Sequence, residues 1–306
     1  MGDNVINVEY DGRVATVTID NEKKLNALDM DGYYALAKAL HDIAQRDDIY
    51  ITVLTGKGRY FSAGADVSSI GKRQQQQQQQ GNAAAAAAAA AASASEPGEA
   101  DPYRALLRTF VANNLFVTRA FARHPKILVA ALNGPVVGLT AALVAHADFV
   151  YAAPHAFLLT PFSALGLVAE GGASRALVSR LGPARAHEAL LQGRRIPCDE
   201  LVAAGFVNRV FSCCGSGSDG AGADPGEGDS SDAFLARVMR EVRERLGDHV
   251  NGDSLLGIKA LVRAPELDLL DRQNVAEVFA GLDRFASGVP QEEFLKIATG
   301  KKKHKL

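Results

Sequence analysis

The residue of this chain best placed for chemistry is Glu170. It stands in the largely apolar run from Leu158 to Arg175 and is the only carboxylate between Asp148 and Glu188. Phe162, Leu165, Leu167 and Val168 precede it, and Gly171-Gly172 follow at an expected helix start. An acid among apolar neighbours loses hydration when charged, so its pKa should rise and its strength as a base toward a carbon acid with it. An acid at a helix start also serves the helix dipole alone, so Glu170 by itself does not define a function. Two small-residue stretches add a second chemistry. Ser62-Ala63-Gly64-Ala65-Asp66 and Asn133-Gly134-Pro135-Val136-Val137-Gly138-Leu139 can both present bare backbone N–H groups. Leu139 should open a helix, leaving its N–H unpaired at the positive end of the dipole, and the small residues around Ala65 let an oxygen approach closely. Two such donors aimed at one point make an oxyanion hole. Taken singly, each stretch is a common turn.

The elements that must position these groups are legible in part. Val5–Tyr10 and Arg13–Ile19 flank Asp11-Gly12, a two-residue hairpin signal. Asp29 can cap a helix running to about Asp47, and Ile49, Ile51 and Val53 alternate into a strand that leads to the Ala65 loop. A helix is expected from Asp101 to Arg123, then a buried strand Ile127–Leu132 that ends at Asn133-Gly134-Pro135 and runs into the helix at Leu139. Strands at Phe149–Ala152 and Phe157–Leu159 precede the Glu170 run. Helices at Gly172–Leu181, Pro183–Leu191 and Asp199–Ala204 and a last strand at Phe206–Phe211 follow it. Residues 233–300 read as a C-terminal helical part, with Val275, Val278, Phe279, Leu282 and Phe285 on one stripe of Asp271–Ala286.

Composition bounds the alternatives. A chain of 306 residues, 47% hydrophobic, can bury a large core. The net charge of -2 gives no basic face for nucleic acid, and no segment has the roughly 18 apolar residues a membrane span needs. The N-terminus shows no apolar signal core. Cys198 and the adjacent Cys213-Cys214 form neither a disulfide framework nor a zinc spacing, which predicts a reducing compartment and no metal. A run of seven glutamines and a run of ten alanines within 74–95, and the Gly, Ser and Asp-rich stretch 212–232, read as disordered inserts that can be removed without loss.

Phe61-Ser62-Ala63-Gly64-Ala65-Asp66, Leu132-Asn133-Gly134-Pro135-Val136-Val137-Gly138 and Ala204-Gly205-Phe206-Val207-Asn208-Arg209-Val210 occur in the order and spacing of the crotonase superfamily. The chain resembles that superfamily over about Val5–Phe211, apart from the glutamine and alanine insert. The resemblance implies an α/β spiral of short ββα units (the ClpP/crotonase fold) over 1–211, with the C-terminal helices packing homotrimers or dimers of trimers. It implies an acyl-CoA thioester substrate and no cofactor besides the CoA that the substrate carries. It also implies that the N–H groups of Ala65 and Leu139 hold the thioester oxygen, and that Ala63, Gly64, Ala65, Asp66, Val67, Leu139 and Phe162 line the substrate path.

Hydratases of the superfamily carry two glutamates where this chain has Ala142 and Phe162. Hydration needs one group to activate water and another to protonate carbon, so their loss argues against it. Glu170 falls where delta-3,delta-2-enoyl-CoA isomerases of the fungal peroxisomal type place a single glutamate, which implies a double-bond shift in β-oxidation. That likeness also implies a supporting asparagine, Asn114, with Asn113 beside it left open. The alternatives are another enzyme of the superfamily, a dienoyl-CoA isomerase, for which the resemblance implies additional acidic residues not evident here, or an enoyl-CoA hydratase, and a non-catalytic acyl-CoA-binding scaffold. The basic tail 301–306 ends in His304-Lys305-Leu306, similar to the Ser-Lys-Leu peroxisomal address, which predicts an import receptor as partner and the peroxisomal matrix as location.

Overall fold

The computed structural model describes residues 5–66, 101–211 and 231–302. Val67, the glutamine and alanine insert, Cys213-Cys214, the second insert up to residue 230 and the tripeptide His304-Lys305-Leu306 lie outside the described residues.

The chain opens with β1 (Ile6–Asp11) and β2 (Val14–Ile19). Their turn falls on Gly12-Arg13, one residue later than expected. Asp11 pairs with Val14, and Gly12 takes the positive φ of 56° that the tight turn demands. Asp29 caps α1 (Met30–Ala44) by accepting the Gly32 N–H at 2.9 Å, and β3 (Ile51–Gly56) follows. With β4 (Ile127–Leu132), β6 (Phe149–Ala152) and β9 (Arg209–Val210), these strands make a six-stranded sheet in the order β1-β2-β3-β4-β6-β9. All neighbours are parallel except β1 and β2. A second sheet joins β5 (Val136–Val137), β7 (Phe157–Leu159) and β8 (Ile196–Pro197).

The period-two alternation of β3 and β4 sends side chains to two separate cores. Leu54, Leu128, Ala130 and Leu132 join the larger one. There they meet α1, α3 (Ala112–Ala122), α4 (Leu139–Val144) and α5 (Ala173–Gln192). Ile51, Val53, Val129 and Ala131 point the other way, onto Phe234, Val238, Val242 and Leu246 of α7 (Ser231–Leu246). One expectation is corrected here: Ser231 and Asp232 belong to a helix, not to an insert, and that helix, α7, forms the second layer of the domain. Parallel strands buried on both faces need that layer.

The expected Asp101–Arg123 helix is α2 (Pro102–Leu106), a π-helical turn (Leu107–Val111) and α3 in series. The two helices expected on either side of Gly182 form α5, broken at Gly182 (φ 73°, ψ 161°) just before Pro183. α6 (Cys198–Ala203) leads to β9, which is shorter than expected because Phe206 and Val207 turn into the core before the strand begins. α8 (Gly252–Ala286) is 35 residues long and begins well before Asp271, capped by Asn251 on the Ser254 N–H. On its expected stripe, Val278 and Leu282 are buried against Leu106 and Val111, whereas Val275 and Phe279 are 46% and 47% exposed. α9 (Val289–Ala298) closes the chain, and Lys302 of the expected tail donates to the Ala164 carbonyl and pairs with Glu293.

Candidate active site

The site begins where two glycine turns meet. The Ala65 loop follows β3, and the Leu139 turn follows β4, its neighbour in the sheet. Val137 donates to the Ser62 carbonyl (2.9 Å) and Phe61 to the Pro135 carbonyl (3.1 Å), which ties the loops backbone to backbone. A Cβ on Gly64 would stand 2.8 Å from the Val137 oxygen, so only glycine allows this approach. Ala65 and Leu139 are thereby brought together. Leu139 is the first residue of α4, and Gly138 before it has φ 64°. Among the described residues, the N–H groups of Ala65 and Leu139 reach no hydrogen-bond acceptor. Ala65 is exposed, Ala63 half-buried and Gly64 buried. Asp66 lies 2.6 Å from Lys24, whose pKa it raises.

Beneath the turns runs a chain of hydroxyls that the sequence reading missed. Ser62 Oγ donates to the Asn26 carbonyl at 2.8 Å, accepts the Gly64 N–H at 3.1 Å and lies 3.1 Å from Thr140 Oγ1. The Tyr33 hydroxyl is 3.1 Å from that same Thr140 oxygen. Because the Ser62 proton is committed to Asn26, the protons run in one sense from Tyr33 to Thr140 to Ser62 to Asn26. Asn26 is fully buried at φ 58°, and its amide donates to the carbonyls of Lys57 and Tyr60. The network fixes both donor turns to one scaffold.

Glu170 sits beside this scaffold. A Cβ on Gly171 would lie 2.8 Å from Leu139 Cδ1 and 2.9 Å from Ala142 Cβ, so the turn that carries Glu170 rests on the start of α4. Glu170 is half-buried as a residue, and protein surrounds its carboxyl. Desolvation, with the charge of Glu277 second, pushes its pKa up to about 8. Its charge also reaches Tyr33, whose phenol is raised mainly by burial. Gly171 and Gly172 both take positive φ (73° and 76°) to turn the chain into α5. His146 fastens that turn, 2.9 Å from the Gly171 carbonyl through Nε2. A carbonyl only accepts, so Nε2 carries the proton; burial lowers the ring's pKa to about 4 and keeps it neutral.

The isolation of Glu170 in sequence does not survive folding. Glu277 of α8 is buried, and its Oε2 and Oε1 accept the N–H groups of Gly172 and Ser174, each at 2.7 Å. A signal for it existed: Leu270, Asn274, Glu277, Val278 and Leu282 share helical spacing, and Glu277 is the one acid on that stripe.

Of the two asparagines, Asn114 is buried on α3 and Asn113 is half-buried. Asn114 Oδ1 has no partner among the described residues, and no hydrogen bond joins it to Glu170. Thr118, one turn further along α3, faces Gly172: a Cβ there would lie 3.6 Å from Thr118 Cγ2. Phe162 is 2% exposed within the main core, as is Ala142 at 0%. Among the described residues, no three His, Cys, Asp or Glu side chains gather as a metal would require, and no helix is long and apolar enough to cross a membrane.

A protein-family model described as enoyl-CoA hydratase/isomerase matches residues 14–213. The chain is 54% identical over 303 residues, 99% of each protein, to a Delta(3,5)-Delta(2,4)-dienoyl-CoA isomerase of Pyricularia oryzae. It is 31% identical, over 98% of itself and 96% of the relative, to the 3,2-trans-enoyl-CoA isomerase of Saccharomyces cerevisiae. Among solved structures, an enoyl-CoA hydratase/isomerase from Pseudoalteromonas atlantica shares the fold, with a TM-score of 0.73 at 24% identity over 99% of this chain and 100% of that one.

Proposed function

The chain belongs to the enoyl-CoA hydratase/isomerase family, and from that premise we propose that it moves a carbon–carbon double bond within an acyl-CoA, with Glu170 as the proton carrier. The thioester oxygen of a 3-enoyl-CoA rests on the N–H groups of Ala65 and Leu139. Glu170, ionised, removes a proton from the α carbon; the electrons of the broken C–H bond pass through the carbonyl to its oxygen, giving a dienolate. The two N–H groups receive that developing charge, and an oxyanion donor of this kind is worth about 3 kcal/mol of barrier. The protonated Glu170 then gives the same proton to the γ carbon. The electrons return from oxygen, leaving the 2-trans double bond conjugated with the thioester. Atoms and charge balance without water or a cofactor.

The observation that carries this reading is the carboxylate inventory. Glu170 is the acid free to exchange a proton, because Glu277 has both oxygens engaged by backbone N–H groups. Ala142, at one of the two positions where hydratases carry an acid, leaves the room that Gly171 occupies. A 1,3 shift needs one base that reaches two nearby carbons on one face. The test is conversion of trans-3-enoyl-CoA to the 2-enoyl product by wild type and Glu170→Gln, with hydration of a 2-enoyl-CoA measured in parallel. Isomerisation lost in Glu170→Gln and negligible hydration are expected; acyl-CoA binding without turnover in wild type would leave a binding protein.

A second reading, isomerisation of a 3,5-dienoyl-CoA to the 2,4-dienoyl product, is favoured by the 54% identity to a dienoyl-CoA isomerase. It requires proton return two carbons further along the chain. The same enzyme preparation assayed on a 3,5-dienoyl-CoA separates the two by kcat/KM. In either case we assign the work to the peroxisomal matrix, a reading supported by the likeness of His304-Lys305-Leu306 to the Ser-Lys-Leu import address. Loss of matrix localisation on removing those three residues is the expected outcome in cells.

A further inference from the structure

A second carboxylate buried next to a catalytic one is costly, and the reaction as written gives it no part. Ordinarily a helix start is capped by the side chain of the residue before it. At α5 that residue is Gly172, which has none, and the cap comes from Glu277, 105 residues away on a different helix. The clamp at 2.7 Å on Gly172 and Ser174 begins two residues beyond Glu170. From the other side the His146 ring holds the carbonyl of Gly171 between them. The backbone after Glu170 is therefore held by one acceptor and one donor, both from outside its own segment.

We propose that Glu277 is a positioning residue of this site: reaching from α8, it clamps the start of α5, holds the Glu170 turn against Leu139 and presents a negative charge to the Glu170 carboxyl. The inference rests on the reading of Glu170 as the base. Burial raises the pKa of Glu277 itself, and the N–H groups of Gly172, Ala173 and Ser174 at the start of α5 favour its charged form. Tyr33 from α1 is neutral, as is His146 after α4, and Thr118 from α3 carries no charge. Arg175 of α5 is paired with Glu266 of α8 at 2.8 Å, and Arg263 of α8 acts on His146. Glu277 is the charge that registers on Glu170, and it keeps the proton on Glu170 to higher pH. A base with a higher pKa is a stronger one, at the cost of a smaller ionised fraction near neutrality.

The experiment compares wild type with Glu277→Gln, which keeps the side chain's size and one acceptor but removes the charge. The rise of kcat/KM with pH should move to lower pH, and the turnover of the high-pH plateau should fall several-fold. A helix cap with no other role would alter thermal stability and leave the profile in place, and an unmoved profile in a folded Glu277→Gln enzyme overturns the proposal. The Glu170 carboxyl is also followed by carbon-13 NMR, assigned by its disappearance in Glu170→Gln. Its titration should move with the profile. That measurement needs no turnover, so it separates failure of this inference from failure of the isomerase reading. Should Glu277→Gln not fold, wild type decides: Glu170 and Glu277 titrating in two coupled steps supports the proposal, and independent titration overturns it.

Discussion

At the scale of the residue, the site is an arrangement of one expensive charge and two inexpensive donors. Glu170 binds its proton up to about pH 8 when folded, against an ordinary carboxylate value of 4.5. As the base it must be ionised, so kcat/KM of wild type should rise with pH through about 8. The sign for stability is opposite. The folded state holds the proton more tightly than the unfolded chain, so this residue's contribution is fully present below about pH 4.5 and is lost as pH rises through about 8. Thermal melts should therefore show Glu170→Gln gaining on wild type at pH 9, by up to a few kcal/mol, and much less at pH 5. The donor side is tested by Leu139→Pro. Proline is tolerated at a first helical position and takes away only the N–H and some packing. Turnover should fall ~100-fold or more, while circular dichroism shows the fold retained.

At the scale of the element, function depends on how close two backbones can come. Gly171 lacks the Cβ that would meet Leu139 and Ala142 at under 3 Å, and its φ of 73° disfavours any side chain. Gly171→Ala should displace the Glu170 turn from α4. Turnover is expected to drop by more than the stability loss explains, with KM for the acyl-CoA changed less than kcat; a raised KM with kcat unchanged would place Gly171 in binding alone. The same element logic shows why Asn26, Ser62, Thr140 and Tyr33 could not be read from the chain. Each belongs to a different segment, and each is an ordinary polar residue until the sheet brings β3 and β4 side by side.

At the scale of the whole molecule, α8 joins three tasks. It covers α2 and α3 through Val278 and Leu282, supplies Glu277, and leaves an apolar outer surface in Ile258, Leu261 and Val262, exposed by 61%, 77% and 70%. A face of that kind on a chain of this family is expected to meet a second copy. Sedimentation should show an oligomer for wild type and a smaller species for Leu261→Arg, which places charge in the contact. Because α8 also carries Glu277, the smaller species should lose turnover even though its own site residues are unchanged.

What the sequence determined by itself is local or periodic. The spacing of the two glycine turns, the apolar setting of Glu170, the buried alternation of β4 and the Asp29 cap are properties of neighbouring residues, and a chain read in order displays them. Tertiary structure alone decided that α7 is a core layer, that Gly64 meets Val137 and that Glu170 shares its surroundings with Glu277. The reason is distance along the chain: desolvation by neighbours can be read from a sequence, but a charge brought from another helix cannot, and at this site that second charge helps set the strength of the base.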